Sequence, residues 1–199
     1  MKPVDRAEVL GLADYEAIRD RFRARVIQEK KARRVYLGPH ASCVFENRDT
    51  VLMQIQEMLR TERITREAAV RHEIDTYNEL VPMDHELSAT ILIEFEDKEP
   101  RERFLAEAKG LEREFGLVVD GAKCRGKNDP AREYPDRTTA VHYVKFDLVA
   151  DAEATLRDVL TGKRKPSEVT MDLVSTHPRY SEKVTLGPSL VQSLAEDLA

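Results

Sequence analysis

Ser88-Ala89-Thr90-Ile91-Leu92-Ile93-Glu94-Phe95 alternates along its length, placing Ala89, Ile91, Ile93 and Phe95 on one face. A period of two is that of a β-strand with one side turned to a core. The chain downstream decides how that strand is used. From about residue 100 to 111, Phe104, Leu105 and Ala108 fall at helical spacing; residues 115–119 form a second strand, a polar loop intervenes, and 138–148 is a long third strand. Ala152, Leu156, Val159 and Leu160 mark a helix starting at Asp151, and residues 168–174 and 183–186 are two further strands. That order, βαββαβ plus one, is that of a split βαβ unit. It predicts an α+β protein with a ferredoxin-like antiparallel sheet and its helices over residues 85–199. A closing helix with Leu190, Val191, Leu194 and Leu198 starts at Pro188, a favoured first helical residue.

Upstream, residues 1–84 read as a helical N-terminal part with a short β-hairpin, joined to the sheet as one compact unit. A helix runs from a cap at Asp14 to Arg33, with Tyr15, Ile18, Phe22 and Val26 as its buried stripe. Residues 34–37 and 41–45 flank Gly38-Pro39 as two short strands about a tight turn. Asn47 or Asp49 caps a helix to about Arg60, with Val51, Leu52, Ile55, Met58 and Leu59 in one sector. Thr65 caps a second, with Val70, Ile74 and Tyr77 in line before Pro82 ends it.

Composition narrows the function classes. With 199 residues, 41% hydrophobic and 35% charged, the chain has the make-up of a soluble globular domain. No apolar run approaches the length that spans a bilayer, and Asp5, Glu8, Asp14 and Glu16 stand where a signal core would be, so a cytoplasmic location is expected. Two distant cysteines, Cys43 and Cys124, exclude a disulfide framework and a cysteine-built metal cluster. The five histidines show neither HxxxH nor HExxH spacing. The residues imply no cofactor and no metal.

Arg33-Arg34-Val35-Tyr36-Leu37-Gly38-Pro39, Phe45-Glu46-Asn47-Arg48-Asp49-Thr50-Val51 running into Gln54-Ile55-Gln56-Glu57-Met58, Tyr77-Asn78-Glu79-Leu80-Val81-Pro82, Ala89-Thr90-Ile91-Leu92-Ile93-Glu94, Thr139-Ala140-Val141-His142 and His177-Pro178-Arg179-Tyr180 together resemble a bacterial family catalogued as domain of unknown function 3501. The resemblance covers nearly the whole chain. It implies no assigned activity, and a redox or oxidative-stress setting by association, since members are often encoded beside a rubrerythrin and an iron–sulfur oxidoreductase subunit. A rubrerythrin or iron–sulfur partner is the corresponding expectation. This chain has neither the cysteine clusters nor the ExxH pairs of those neighbours, so iron chemistry would belong to the partner.

Several groups are candidates for a site. Residues 1–34 carry a charge of +4 against −9 for the rest, and from Arg19 to Arg34 eight basic residues face only Asp20 and Glu29. Arg25, Lys30, Arg33 and Arg34 are the candidate anion-binding residues, against the plainer reading of a solvated helix paired with the acidic remainder. The acidic whole and the lack of interleaved aromatics argue against nucleic acid. Glu57 and Glu73 flank the apolar stripes of the helical hairpin, where two carboxylates hold a metal, share a proton or pair with arginines. His142 shares its strand face with Ala140, Val144, Phe146 and Leu148. It is therefore expected to be buried, either satisfied in the core or facing a pocket with Glu94 or Tyr143. Asp84-His85-Glu86 is a weaker ligand cluster, and His177 before Pro178 shapes a turn. Residues 121–128 nearly match GxxxxGK[ST], but Asn128 lacks the hydroxyl that ligates magnesium, and Asp129-Pro130 interrupts the helix that should follow.

The leading expectation is thus a binding or accessory protein that engages a partner or small anion through its sheet and basic helix. Its rivals are a small metal-dependent enzyme or oxidoreductase component with catalytic candidates Glu57, Glu73 and His142, and an obligate homodimer joined through its sheet or C-terminal helix.

Overall fold

The computed structural model describes residues 1–199, the side chain of Arg132 excepted. Eight strands are present: β1 (Arg34–Leu37), β2 (Ala41–Glu46), β3 (Glu86–Ile93), β4 (Phe115–Val119), β5 (Ala122–Lys127), β6 (Val141–Asp147), β7 (Met171–His177) and β8 (Tyr180–Thr185). Six helices accompany them: α1 (Leu12–Ala32), α2 (Arg48–Thr61), α3 (Glu67–Asn78), α4 (Lys98–Glu107), α5 (Ala150–Leu160) and α6 (Pro188–Glu196). The strands form one antiparallel sheet in the order β1-β2-β3-β6-β5-β4-β7-β8. It curls until β1 lies against β8. There the Tyr180 hydroxyl donates to the Leu37 carbonyl and accepts the His40 N–H at 3.0 Å, so the sheet becomes a nearly closed barrel.

This overturns the ferredoxin-like sheet, while the α+β character stands. In a split βαβ unit each helix connects two parallel strands that have one other strand between them. Here two strands lie between β3 and β4, which flank α4, and two lie between β6 and β7, which flank α5, so in this wholly antiparallel sheet each helix joins strands that run in opposite directions. Two local features redirect the chain. First, the β1–β2 hairpin is no appendage, because β2 pairs with β3 from Ala41↔Ile93 to Glu46↔Ser88. Second, residues 122–127, expected as polar loop, are a strand. Asp120 (φ 47°) and Gly121 (φ 89°) form the two-residue turn with positive φ at both positions that suits the twist of a hairpin. The inward residues of β5 are Ala122, Cys124 and Gly126, which leave almost no apolar signal in the sequence. Their smallness is imposed by the barrel wall, since a Cβ on Gly126 would stand 2.7 Å from both the Phe115 carbonyl oxygen and Val144 Cγ1.

The interior is mostly apolar, with Ser175 and His177 on the inward face of β7. Leu37, Phe45, Leu87, Ile91, Phe115, Leu117, Phe146 and Leu173 from the strands pack with Leu105 of α4, Leu156 of α5 and Val191 and Leu194 of α6 in one cluster. A second cluster joins Val4 and Val9 to Val51, Ile55 and Leu59 of α2, Val70 and Ile74 of α3, and Leu80 and Val81; half-buried Tyr143 of β6 packs on it from the sheet. Asn47 starts α2 as expected, its side chain accepting the Thr50 N–H at 3.0 Å while Thr50 Oγ1 accepts the Asn47 N–H at 2.9 Å. On α1, Tyr15 and Val26 are buried but Ile18 is 37% exposed. Apolar contact is supplemented by ion pairs: Arg19 grips Glu57 at 2.8 and 2.9 Å, and Arg60 grips Glu16. Among the described residues, no helix is long and apolar enough to cross a membrane.

Candidate functional site

Three buried polar residues, Glu112, Thr138 and His142, come together at the mouth where β6 begins. His142 enters β6 on its inward side, opposite Ile91 of β3, and is 4% exposed, its ring centroid 5.5 Å from that of Phe115. The ring hydrogen-bonds to the Thr139 backbone, while Nε2 has no partner among the described residues. The bonded nitrogen is therefore Nδ1. A carbonyl acceptor there fixes the proton on Nδ1 and leaves Nε2 as a bare lone pair. Burial pushes the imidazole down to about 4, against the opposing pulls of Glu112 and the Thr139 backbone, so the ring is neutral near pH 7.

Glu112 completes the mouth. It lies in the short 3-10 turn Leu111–Arg113 and is 6% exposed. Gly110, at φ 88°, turns the chain into this position after α4. One carboxylate oxygen accepts the Thr138 hydroxyl at 2.6 Å, and the Glu112 carbonyl accepts the Asn128 side-chain amide. Both ends of the segment linking β5 to β6 are thus tied to one residue, and the segment forms a strap over the mouth. Arg113 holds Glu133 at 2.5 Å and Arg137 holds Glu102 at 2.8 Å, fastening the strap further, and Glu133 and Arg137 also line the space beneath it. Beneath it lies a cavity of about 20 Å³ whose lining includes Glu112, Thr138, Thr139 and His142. That is room for one water-sized guest.

An open cleft of about 550 Å³ adjoins it on the outside of β3, β5 and β6, sharing Asn128, Asp129 and Tyr143 with the cavity lining. Its floor carries the ion pairs Lys145–Glu86, at 2.6 Å, and Lys127–Asp147. Glu79 and Asp129 also line it.

The remaining candidates are dispersed. Glu57 accepts from the Tyr15 hydroxyl at 2.7 Å and from Arg19, whose guanidinium holds its carboxyl below the usual range. Glu73 lies half-buried on α3, and no contact joins it to Glu57 among the described residues. Of the basic candidates, Arg25 pairs with Asp49 at 2.5 Å and Arg34 donates to Ser42 at 2.9 Å. Lys30 is half-buried without an ion pair among the described residues. Arg33 is 2% exposed and turned inward to Asp197. His85 pairs with Glu153 at 2.7 Å while Glu86 goes to Lys145, so Asp84-His85-Glu86 does not converge on one point. His177 donates from Nε2 to the Lys109 carbonyl at 3.1 Å and accepts the Arg179 N–H on Nδ1, shaping its turn. Glu94 is exposed. Residues 121–128 form a hairpin arm, so the near-match to a phosphate loop has no loop to act through. Cys43 and Cys124 are buried in the barrel, where loss of solvent pushes both thiols up. No cluster of three or more potential metal ligands exists among the described residues.

Sequence reasoning found His142 but missed Glu112 and the strap. Glu112 acquires its partner from Thr138, 26 residues onward, which no local periodicity encodes. The one local signal is Gly110, a helix-stopping residue that turns the chain inward just before it.

A crystal structure of a novel protein of unknown function from Burkholderia pseudomallei K96243 is similar at 33% identity and a TM-score of 0.89, over 100% of both chains. No curated protein matches. A family model whose description reads "Protein of unknown function (DUF3501)" matches residues 3–198, and the chain belongs to that family.

Proposed function

We propose that the protein is a binding or accessory protein rather than a small metal-dependent enzyme, and that the strapped mouth at His142 and Glu112 is its ligand-facing end. The observation that carries this reading is the buried Nε2 of a neutral His142, left without a partner beside a water-sized cavity at the end of a mostly apolar barrel. A core histidine with no other task has both nitrogens satisfied. The rival enzyme reading loses its carboxylate pair, because Glu57 is already engaged by Tyr15 and Arg19. A redox setting with a rubrerythrin or iron–sulfur partner is supported by the family resemblance, and a cytoplasmic location by the buried, unpaired cysteines. Metal analysis of protein purified without a histidine tag tests the choice. The binder contains iron, manganese and zinc only far below one per chain. One metal per chain, lost on His142→Ala, overturns the proposal in favour of the enzyme.

A further inference from the structure

Asp129, Glu133 and Arg137 also line the cavity under the strap but are engaged with other partners, which leaves His142 and Glu112 as the two lining groups to account for. His142 Nε2 is buried and lacks a donor among the described residues. The Glu112 carboxyl group is 6% exposed and takes one hydrogen bond, from Thr138, but no cation lies in ion-pair reach of it among the described residues. Its neighbour Arg113 is held by Glu133, and Arg137, which also lines the cavity, is held by Glu102. A buried carboxylate without a counter-charge is costly, and so is a buried lone pair without a donor. One guest satisfies both if it is positively charged, carries several N–H or O–H donors and fits about 20 Å³. A bare alkali ion offers no donor to the imidazole. An alkylammonium ion exceeds the space. A transition metal would find no cluster of three potential protein ligands among the described residues, fewer than such sites use.

We propose that the Glu112–His142 cavity is a binding site for a single ammonium ion, held by N–H donation to His142 Nε2 and to the free Glu112 oxygen, with the strap as its cover. This rests on the mouth being the ligand-facing end and names its ligand. The test uses the full-length ¹⁵N-labelled chain in sodium buffer at constant ionic strength, titrated with ammonium chloride. The readout is the His142 Nε2 resonance, assigned by its loss in His142→Gln. The expected result is a saturable shift toward the hydrogen-bonded value, absent with potassium chloride or tetramethylammonium chloride. Glu112→Gln keeps an oxygen for Thr138 but removes the charge, and should raise the half-saturation concentration at least tenfold while resonances elsewhere stay in place. If Glu112→Gln does not fold, Thr138→Val serves as a second variant: it frees a Glu112 oxygen without removing the charge and should leave the ammonium response intact. Absence of a saturable ammonium shift in the folded wild-type chain means that water alone fills the cavity, and overturns this proposal without touching the binder reading. An equal response to potassium, or an unchanged response in folded Glu112→Gln, also overturns it. Stoichiometric transition metal on His142 overturns both.

Discussion

Removing the Asp197 carboxylate should cost the fold more than any other single ionic change. Arg33, at the end of α1, is 2% exposed and Asp197, just after α6, is 3% exposed. The guanidinium donates to the Phe45 carbonyl at 2.8 Å, the Glu46 carbonyl at 3.2 Å, Ser193 Oγ at 2.7 Å and both Asp197 oxygens, so it pins the last helix to the β1–β2 hairpin. Asp197→Ala leaves that cation buried without its counter-charge, a change that costs about 3–5 kcal/mol. For a chain of this size that corresponds to a fall in Tm of about 6–20 °C. The pH dependence supplies an independent check. Burial pushes the Asp197 carboxyl up to about 6, outweighing the downward pull of Arg33. The folded carboxyl therefore holds its proton more tightly than the unfolded one. Its stabilising effect is full below the ordinary aspartate range and is lost as pH rises through about 6. Urea denaturation of wild type and Asp197→Asn between pH 4 and 7 reads this directly, the variant showing a flatter profile. A loss below about 1 kcal/mol in Asp197→Ala, or the same pH slope in Asp197→Asn as in wild type, would refute the reasoning.

The geometry sets three further outcomes. Gly126→Ala forces a Cβ to within 2.7 Å of the Phe115 carbonyl and Val144, and should destabilise by about 1–3 kcal/mol in urea melts; a neutral result would mean that the β5 wall gives way easily. Tyr15→Phe removes one donor from Glu57 but leaves Arg19 in place, so the expected cost by chemical denaturation is about 1 kcal/mol. The His142 imidazole should titrate near 4 by NMR, and its folded form gives up the proton more readily than the unfolded form. Stability should therefore fall as pH drops through the ordinary histidine range toward 4, and His142→Gln should remove that part of the slope; a midpoint near 6.5 would place the ring in water.

The parts of this fold that were legible are those whose side chains advertise which way they point. Ile91 and Ile93 announced β3, and His142 declared its burial by standing in phase with Val144 and Phe146. β5 was hidden because its inward side is Ala122, Cys124 and Gly126, and because a near phosphate-loop pattern competed for the same residues. Asp120-Gly121 was nonetheless a hairpin signal in plain view. Without β5, the remaining strands and helices fit a split βαβ order, and the barrel could not be seen. Arg33 misled for a different reason. Its charge grouped it with the surface arginines, yet it stands seven residues after Val26, in phase with the buried stripe of α1. Glu112 was beyond local reading altogether, since its role is set by the returning strap.

The meeting of the first and last strands has a mechanical consequence. β1 and β8 share no ladder, and one phenol spans the gap between them. The eight strands are therefore a rolled ribbon fastened by a clasp, not a welded hoop. Glu182 of β8 lies so close to Gly38 that a Cβ there would meet it at 2.7 Å, and this charged side chain on the free margin discourages a foreign strand from docking. Unrolling from this margin breaks the fewest interior pairs, so the seam is where the molecule should first exchange its amide protons and first come undone.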